Sequence, residues 1–179
     1  MIYQIKISLK DSKPLIWRRV LVPSNYTIAQ LHDIIQVSMG WTDSHFHAFK
    51  IQNQEYSKKY ENFHDEEDES LDAKKFKIEK LLKKKSKINY TYDFGDCWEH
   101  IIEVEDILKE SEFKPPFCVK AVGNCPIEDS GGLWGYYEKL AILDDPKNPE
   151  YEEIKEWMGD DYNAAINLKD INSSLAKIK

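Results

Sequence analysis

Two alternating runs meeting at a glycine constrain this chain more than any other feature. Ile88-Asn89-Tyr90-Thr91-Tyr92-Asp93-Phe94 and Trp98-Glu99-His100-Ile101-Ile102-Glu103-Val104 flank Gly95-Asp96-Cys97. Period-two alternation on both sides of a turn signal predicts an antiparallel hairpin. A two-residue loop would pair Tyr92 with Glu99 and Ile88 with Glu103, mixing core with solvent. A three-residue loop pairs Phe94 with Trp98, Tyr92 with His100, Tyr90 with Ile102 and Ile88 with Val104. That register keeps one face aromatic and aliphatic, so the three-residue loop is the expectation.

The N-terminal third supplies a second hairpin. Tyr3, Ile5, Ile7 and Leu9 share one face of a strand over 2–9, and Asp11-Ser12-Lys13-Pro14 turns the chain into a strand over 15–22. Thr27-Ile28-Ala29-Gln30 has capping-box spacing, with Ile28, Leu31, Ile35 and Met39 at helical intervals and Gly40 as C-cap. A helix over 28–39 follows, then a strand near 45–52. The last third is helical: Leu133 to Leu143 after Gly131-Gly132, a helix opened by Asn148-Pro149-Glu150 and ended by Gly159, and one near 170–178.

Strands first and helices later predict one α+β domain over 1–179. It has an N-terminal hairpin and helix, a central antiparallel hairpin in a mixed sheet, and C-terminal helices. At 179 residues, 41% of them hydrophobic, the chain can bury a core. Residues 61–72 hold seven acids and 74–87 hold eight lysines. Such blocks read as solvated faces, with an electrostatic docking surface as the rival.

Twenty-five basic against thirty-two acidic side chains, a net charge of −7, argue against nucleic acid as a partner. No apolar run approaches a membrane span, and MIYQIKISLKD lacks the apolar block of a signal peptide, so a cytoplasmic protein without a membrane partner is expected. Three cysteines without CxxC spacing predict no disulfide framework, and a zinc site at Cys97, Cys118 and Cys125 is the weaker metal option.

No nucleophile elbow, phosphate loop, HExxH or dinucleotide fingerprint is present, so no catalytic residue is assigned. The candidate site is a set of imidazoles and carboxylates near turns and strand ends: His45, His47, Asp93, Asp96, His100, Glu128 and Asp129. His45 and His47 stand two apart, which on a strand puts both on one face. Together these groups make a mixed N/O set for zinc, manganese or iron. Each also has an architectural account. His47 lies on the face of Phe49 and Ile51, His100 faces an aromatic, and Asp93 and Asp96 flank a turn glycine. One of Arg18 and Arg19 must be core-side and is expected to meet an acid, with Asp93 or Glu99 the natural partners.

The ordered segments IWRR (16–19), LH (31–32), GW (40–41), HFHAF (45–49), YDFGDCWEH (92–100) and CPIEDSGGLWGY (125–136) resemble the plasmid pRiA4b ORF-3-like family. The resemblance implies a single α+β domain found on plasmids, mobile elements and chromosomes, with no assigned activity and, in places, a resolvase-like label. It departs where Ile127 follows Pro126, since the family pattern has two prolines before the acidic pair. Against that pattern, 61–87 reads as a charged insertion. Serine recombination needs an activated serine among arginines, which this arginine-poor chain lacks, so the label is rejected as a mechanism.

Three functions follow as expectations. The first is a small binding or accessory domain whose His/carboxylate cluster holds a ligand or divalent metal. The second is a metal-dependent hydrolase or nuclease using the same cluster. The third is a mobile-element-associated factor that meets protein or nucleic acid through the lysine block.

Overall fold

The computed structural model describes residues 1–59, 69–160 and 162–178. The N-terminal hairpin forms as expected: β1 (Ile2–Leu9) pairs antiparallel with β2 (Trp17–Pro23), placing Ile5 opposite Val20. Tyr3, Ile5, Ile7 and Leu9 are buried on one face. Helix α1 (Ile28–Met39) has both bonds of the Thr27–Gln30 capping box and a left-handed Gly40 at its end. Its apolar stripe of Ile28, Leu31, Ile35 and Met39 is buried in the same core.

Strands β3 (His47–Ile51), β4 (Gln54–Ser57) and the two-residue β5 (Leu71–Asp72) follow. After them come β6 (Lys87–Tyr92), β7 (Trp98–Leu108) and β8 (Phe117–Val122). The sheet runs β5-β4-β3-β6-β7-β1-β2-β8, antiparallel except for the β4–β5 pair, and is therefore mixed. Helices α3 (Gly132–Leu143), α4 (Tyr151–Met158) and α5 (Leu168–Leu175) close the chain. The α+β architecture read from the sequence is the one observed.

The central hairpin differs in register. Tyr92 pairs with Trp98, Tyr90 with His100 and Ile88 with Ile102, so the loop is Asp93–Cys97, five residues rather than three. Side-chain hydrogen bonding wins over strand extension here. Asp93 and Cys97 both take positive φ (57° and 53°), Cys97 N–H donates to the Asp93 carbonyl at 2.7 Å, and Gly95 N–H donates to Asp93 Oδ1 at 2.8 Å. Asp tolerates this left-handed conformation because its carboxylate satisfies the turn locally. The slip is an even number of residues, so face assignments survive. Phe94, expected in the packed face, is instead exposed on the loop.

Two further expectations are corrected. Helix α4 begins at Tyr151, two residues beyond Pro149, because Asn148 receives the Glu150 and Tyr151 amides ahead of the helix. The core-side arginine meets no acid among the described residues. Arg18 is 2% exposed; its Nε donates to the Ser38 carbonyl at the end of α1, and its Nη1 to the carbonyls of Trp17, Val122 and Gly123. A helix C-terminus already carries partial negative charge, so carbonyls supply what a carboxylate would. Arg19 takes Glu105 in a two-point pair, while Glu99 pairs with Lys10.

The acidic residues 61–68 lie outside the described residues. The lysine-rich segment carries a 3₁₀ turn and helix α2 (Ile78–Leu81), pinned by buried Ala73, Ile78 and Leu82, with its eight lysines outward. Among the described residues no helix is long and apolar enough to cross a membrane.

Candidate functional site

The elements of the sheet's middle bring two groups of metal-capable side chains close together. In each, one ligand atom per residue lies within 4.8 Å of the others. The inner group is His32, Asp43 and His47. The outer group is His45, Asp93 and Asp129.

His32 projects from the buried face of α1, and His47 opens β3 directly beneath it. Their rings stack with centroids 3.5 Å apart and an 8° interplanar angle. His32 Nδ1 is bonded to the Tyr90 hydroxyl at 2.8 Å, and Nε2 to Asp43 Oδ1 at 2.7 Å. Gln36 braces both partners, donating to Tyr90 at 3.0 Å and accepting the Asp43 amide at 3.0 Å. Asp43 sits on the connection after α1 with φ 57°. Burial works to raise its pKa, but His32 and the Lys58 ammonium at 3.1 Å hold the carboxyl down to about 2. His47 is 3% exposed, and among the described residues neither ring nitrogen has a hydrogen-bond partner. Burial above all, then the adjacent His32, lowers its pKa to about 3, so it is neutral and both lone-pair and N–H positions go unused.

The outer group hangs on loops. His45 Nε2 lies 3.3 Å from Asp129 Oδ1, and its Nδ1 lies 3.8 Å from Asp93 Oδ2. His45 and Asp93 border a cavity of about 470 Å³ between segments 43–46 and 93–95. Asp43 lines that cavity too, so one carboxylate belongs to the inner group and faces the space beside the outer one.

The seven residues named from the sequence therefore separate. His47 enters the inner group; His45, Asp93 and Asp129 form the outer. The strand begins only at His47, so the two histidines do not share a strand face. Asp96 accepts the Gly131 amide at 3.1 Å and docks the hairpin loop on α3. Glu128 accepts from the Tyr92 hydroxyl and from the Thr42 hydroxyl at 2.7 Å. Burial, then that carboxylate, pushes the Tyr92 hydroxyl pKa up. His100 is buried between Trp41 and Tyr90, with Nδ1 2.9 Å from the Trp98 carbonyl, and burial lowers its pKa to about 4. Among the described residues neither metal-capable group includes a cysteine.

Sequence reasoning missed His32 and Asp43. His32 lay in view on the apolar stripe, between Ile28 and Ile35, where an imidazole needs a partner. Asp43 had no periodic signal, because only the fold returns the chain after Gly40 over α1.

The docking of loop on helix gives a stability expectation. A Cβ at Gly132 (φ 69°) would stand 2.6 Å from the Asp96 carbonyl. Gly132→Ala therefore combines left-handed strain with a backbone clash and should cost roughly 2–4 kcal/mol in chemical unfolding.

An α+β fold whose sheet shelters a buried His/Asp group defines the class. The chain belongs to the plasmid pRiA4b ORF-3-like protein family, whose model matches residues 1–170. It is similar to an uncharacterized protein, y4hQ, of Sinorhizobium fredii strain NGR234, with 34% identity covering 97% of this chain and 90% of that one. It also resembles a crystal structure of a protein of unknown function, MM3350 from Methanosarcina mazei Go1. That likeness has 36% identity and a TM-score of 0.84, over 94% of this chain and 96% of the other.

Proposed function

We propose that this chain is a divalent-metal-binding domain, with His32, Asp43 and His47 as ligands and zinc the best match to an N₂O set. The observation that carries the reading is His47, buried with two unpartnered ring nitrogens beside a second imidazole and a carboxylate. Buried polar atoms are almost always satisfied, so an unpartnered imidazole beside two further ligand types fits a bound cation. Tyr90 at His32 Nδ1, itself braced by Gln36, has the place that the outer partner of a ligating histidine takes. Donors bound about 2.0 Å from one ion sit about 3.2 Å apart, so the 2.7 Å His32–Asp43 contact would open by about half an ångström. The stacked rings would also rotate to aim at the ion.

Elemental analysis of protein purified without a histidine tag tests this. About one zinc per chain is expected, removable by chelator with a loss of thermal stability. Under about 0.2 metal per chain, with no thermal shift from added zinc or manganese, contradicts it.

A metal-dependent hydrolase is the second reading, favoured by the cavity onto which Asp43, His45 and Asp93 open. Three protein ligands leave a position for water, and His45 would be the general base. Zinc-dependent cleavage of a phosphodiester or ester probe, abolished in His45→Ala, would support it. A nucleic-acid role for the lysine block is disfavoured by its ion pairs, such as Lys84 with Asp106 and Lys87 with Glu103. Gel shifts at two salt concentrations, with no binding at low salt, are expected.

A further inference from the structure

Arg18 also borders a cleft of about 530 Å³ lined by the end of α1 and by residues of α5. Its Nε and Nη1 are used by four carbonyls, and among the described residues no bond engages Nη2. No carboxylate among the described residues pairs with it, so backbone carbonyls alone answer a charge whose burial also lowers its pKa. Buried charges are ordinarily paired, and the N–H donors left on the single nitrogen Nη2 can meet one carboxylate.

The rest of the cleft narrows the ligand. Trp41, Pro126, Met158, Ile166 and Ile171 supply apolar wall among polar residues, in a volume typical of small-molecule sites. Glu128 and Asp170 stand at the same cleft, each already bonded, Glu128 to Thr42 and Asp170 to Asn167 Nδ2 at 2.6 Å. Two carboxylates beside one guanidinium oppose a dianion such as phosphate more than a monoanion, so the contact with Arg18 must be direct.

We propose that this cleft binds a small monocarboxylate with an apolar body, its carboxylate on Arg18 Nη2 and its body against Trp41 and the α5 side chains. The site shares no ligand with the proposed metal centre and stands or falls independently of it.

Calorimetry and thermal shift on the full chain in excess chelator test the proposal, with 4-methylpentanoate as the probe. Chelator removes the metal centre as the receptor, so failure here leaves that reading untouched. The carboxylate should bind one to one and raise Tm, while the uncharged 4-methylpentanamide binds at least about tenfold more weakly. Ala164→Trp, a substitution at an exposed position lining the cleft, should fold normally and lose binding by about tenfold or more. Arg18→Gln should lose it too, but that variant also breaks the carbonyl cage. Equal binding of acid and amide, undiminished binding by Ala164→Trp, or tighter binding of inorganic phosphate would each overturn the assignment. So would the absence of any response to the carboxylate at about 10 mM, against the affinity scale of weak ligands.

Discussion

Acidifying the metal-free protein from pH 6.5 to 4 is expected to unfold it. His47 and His100 are buried, and burial lowers their pKa values from 6.5 to about 3 and about 4. A group with a depressed folded pKa leaves the unfolded chain binding more protons, so stability falls as pH falls. The contribution is complete above pH 6.5 and drains below it, ending near 4 for His100 and near 3 for His47. Each histidine removes about 1.4 kcal/mol per pH unit, so the pair removes roughly 5–7 kcal/mol by pH 4. That is comparable to the whole stability of a typical domain. Urea titrations by circular dichroism at half-unit pH steps, in chelator, measure the slope. His100→Phe keeps a ring beside Trp41 and takes no proton, so it should halve that slope whatever its own stability. A stability flat between pH 6.5 and 4.5 would contradict the burial of both imidazoles.

His47→Ala is expected to abolish stoichiometric zinc binding while the protein remains folded. The substitution removes a side chain with no hydrogen bonds to lose, so its cost is packing against His32 and Phe49, about 1–3 kcal/mol. The same change removes one of three ligands, which should weaken zinc by about a hundredfold or more. His45→Ala, in the outer group, should leave that affinity within a few-fold. Competition with a chromophoric chelator gives both values. A loss in His45→Ala with affinity retained in His47→Ala would move the metal to the outer group.

Legibility in the sequence followed the range of the forces involved. Helix α1 was readable to the residue because Thr27, Gln30 and Gly40 are local signals that also operate locally. The faces of β1, β6 and β7 were readable because period two survives any even slip. The hairpin loop was misread because the Asp93 carboxylate competes for the turn amides, and alternation alone cannot register that bond. The candidate site was half legible for the same reason. Proximity of His45 and His47 in sequence pointed to one site, yet β3 begins between them. His32 and Asp43 join His47 only through the packing of α1 on the sheet, a tertiary relation with no spacing signature. Arg18 ran opposite to expectation because backbone carbonyls, invisible in composition, answered its charge.

The most direct measurement is X-ray diffraction at the zinc edge from crystals grown with one equivalent of zinc. The metal-binding account predicts an anomalous peak about 2.0–2.2 Å from nitrogens of His32 and His47 and an oxygen of Asp43. A peak elsewhere, or His47 still stacked on His32 with no density between them and Asp43, would contradict it.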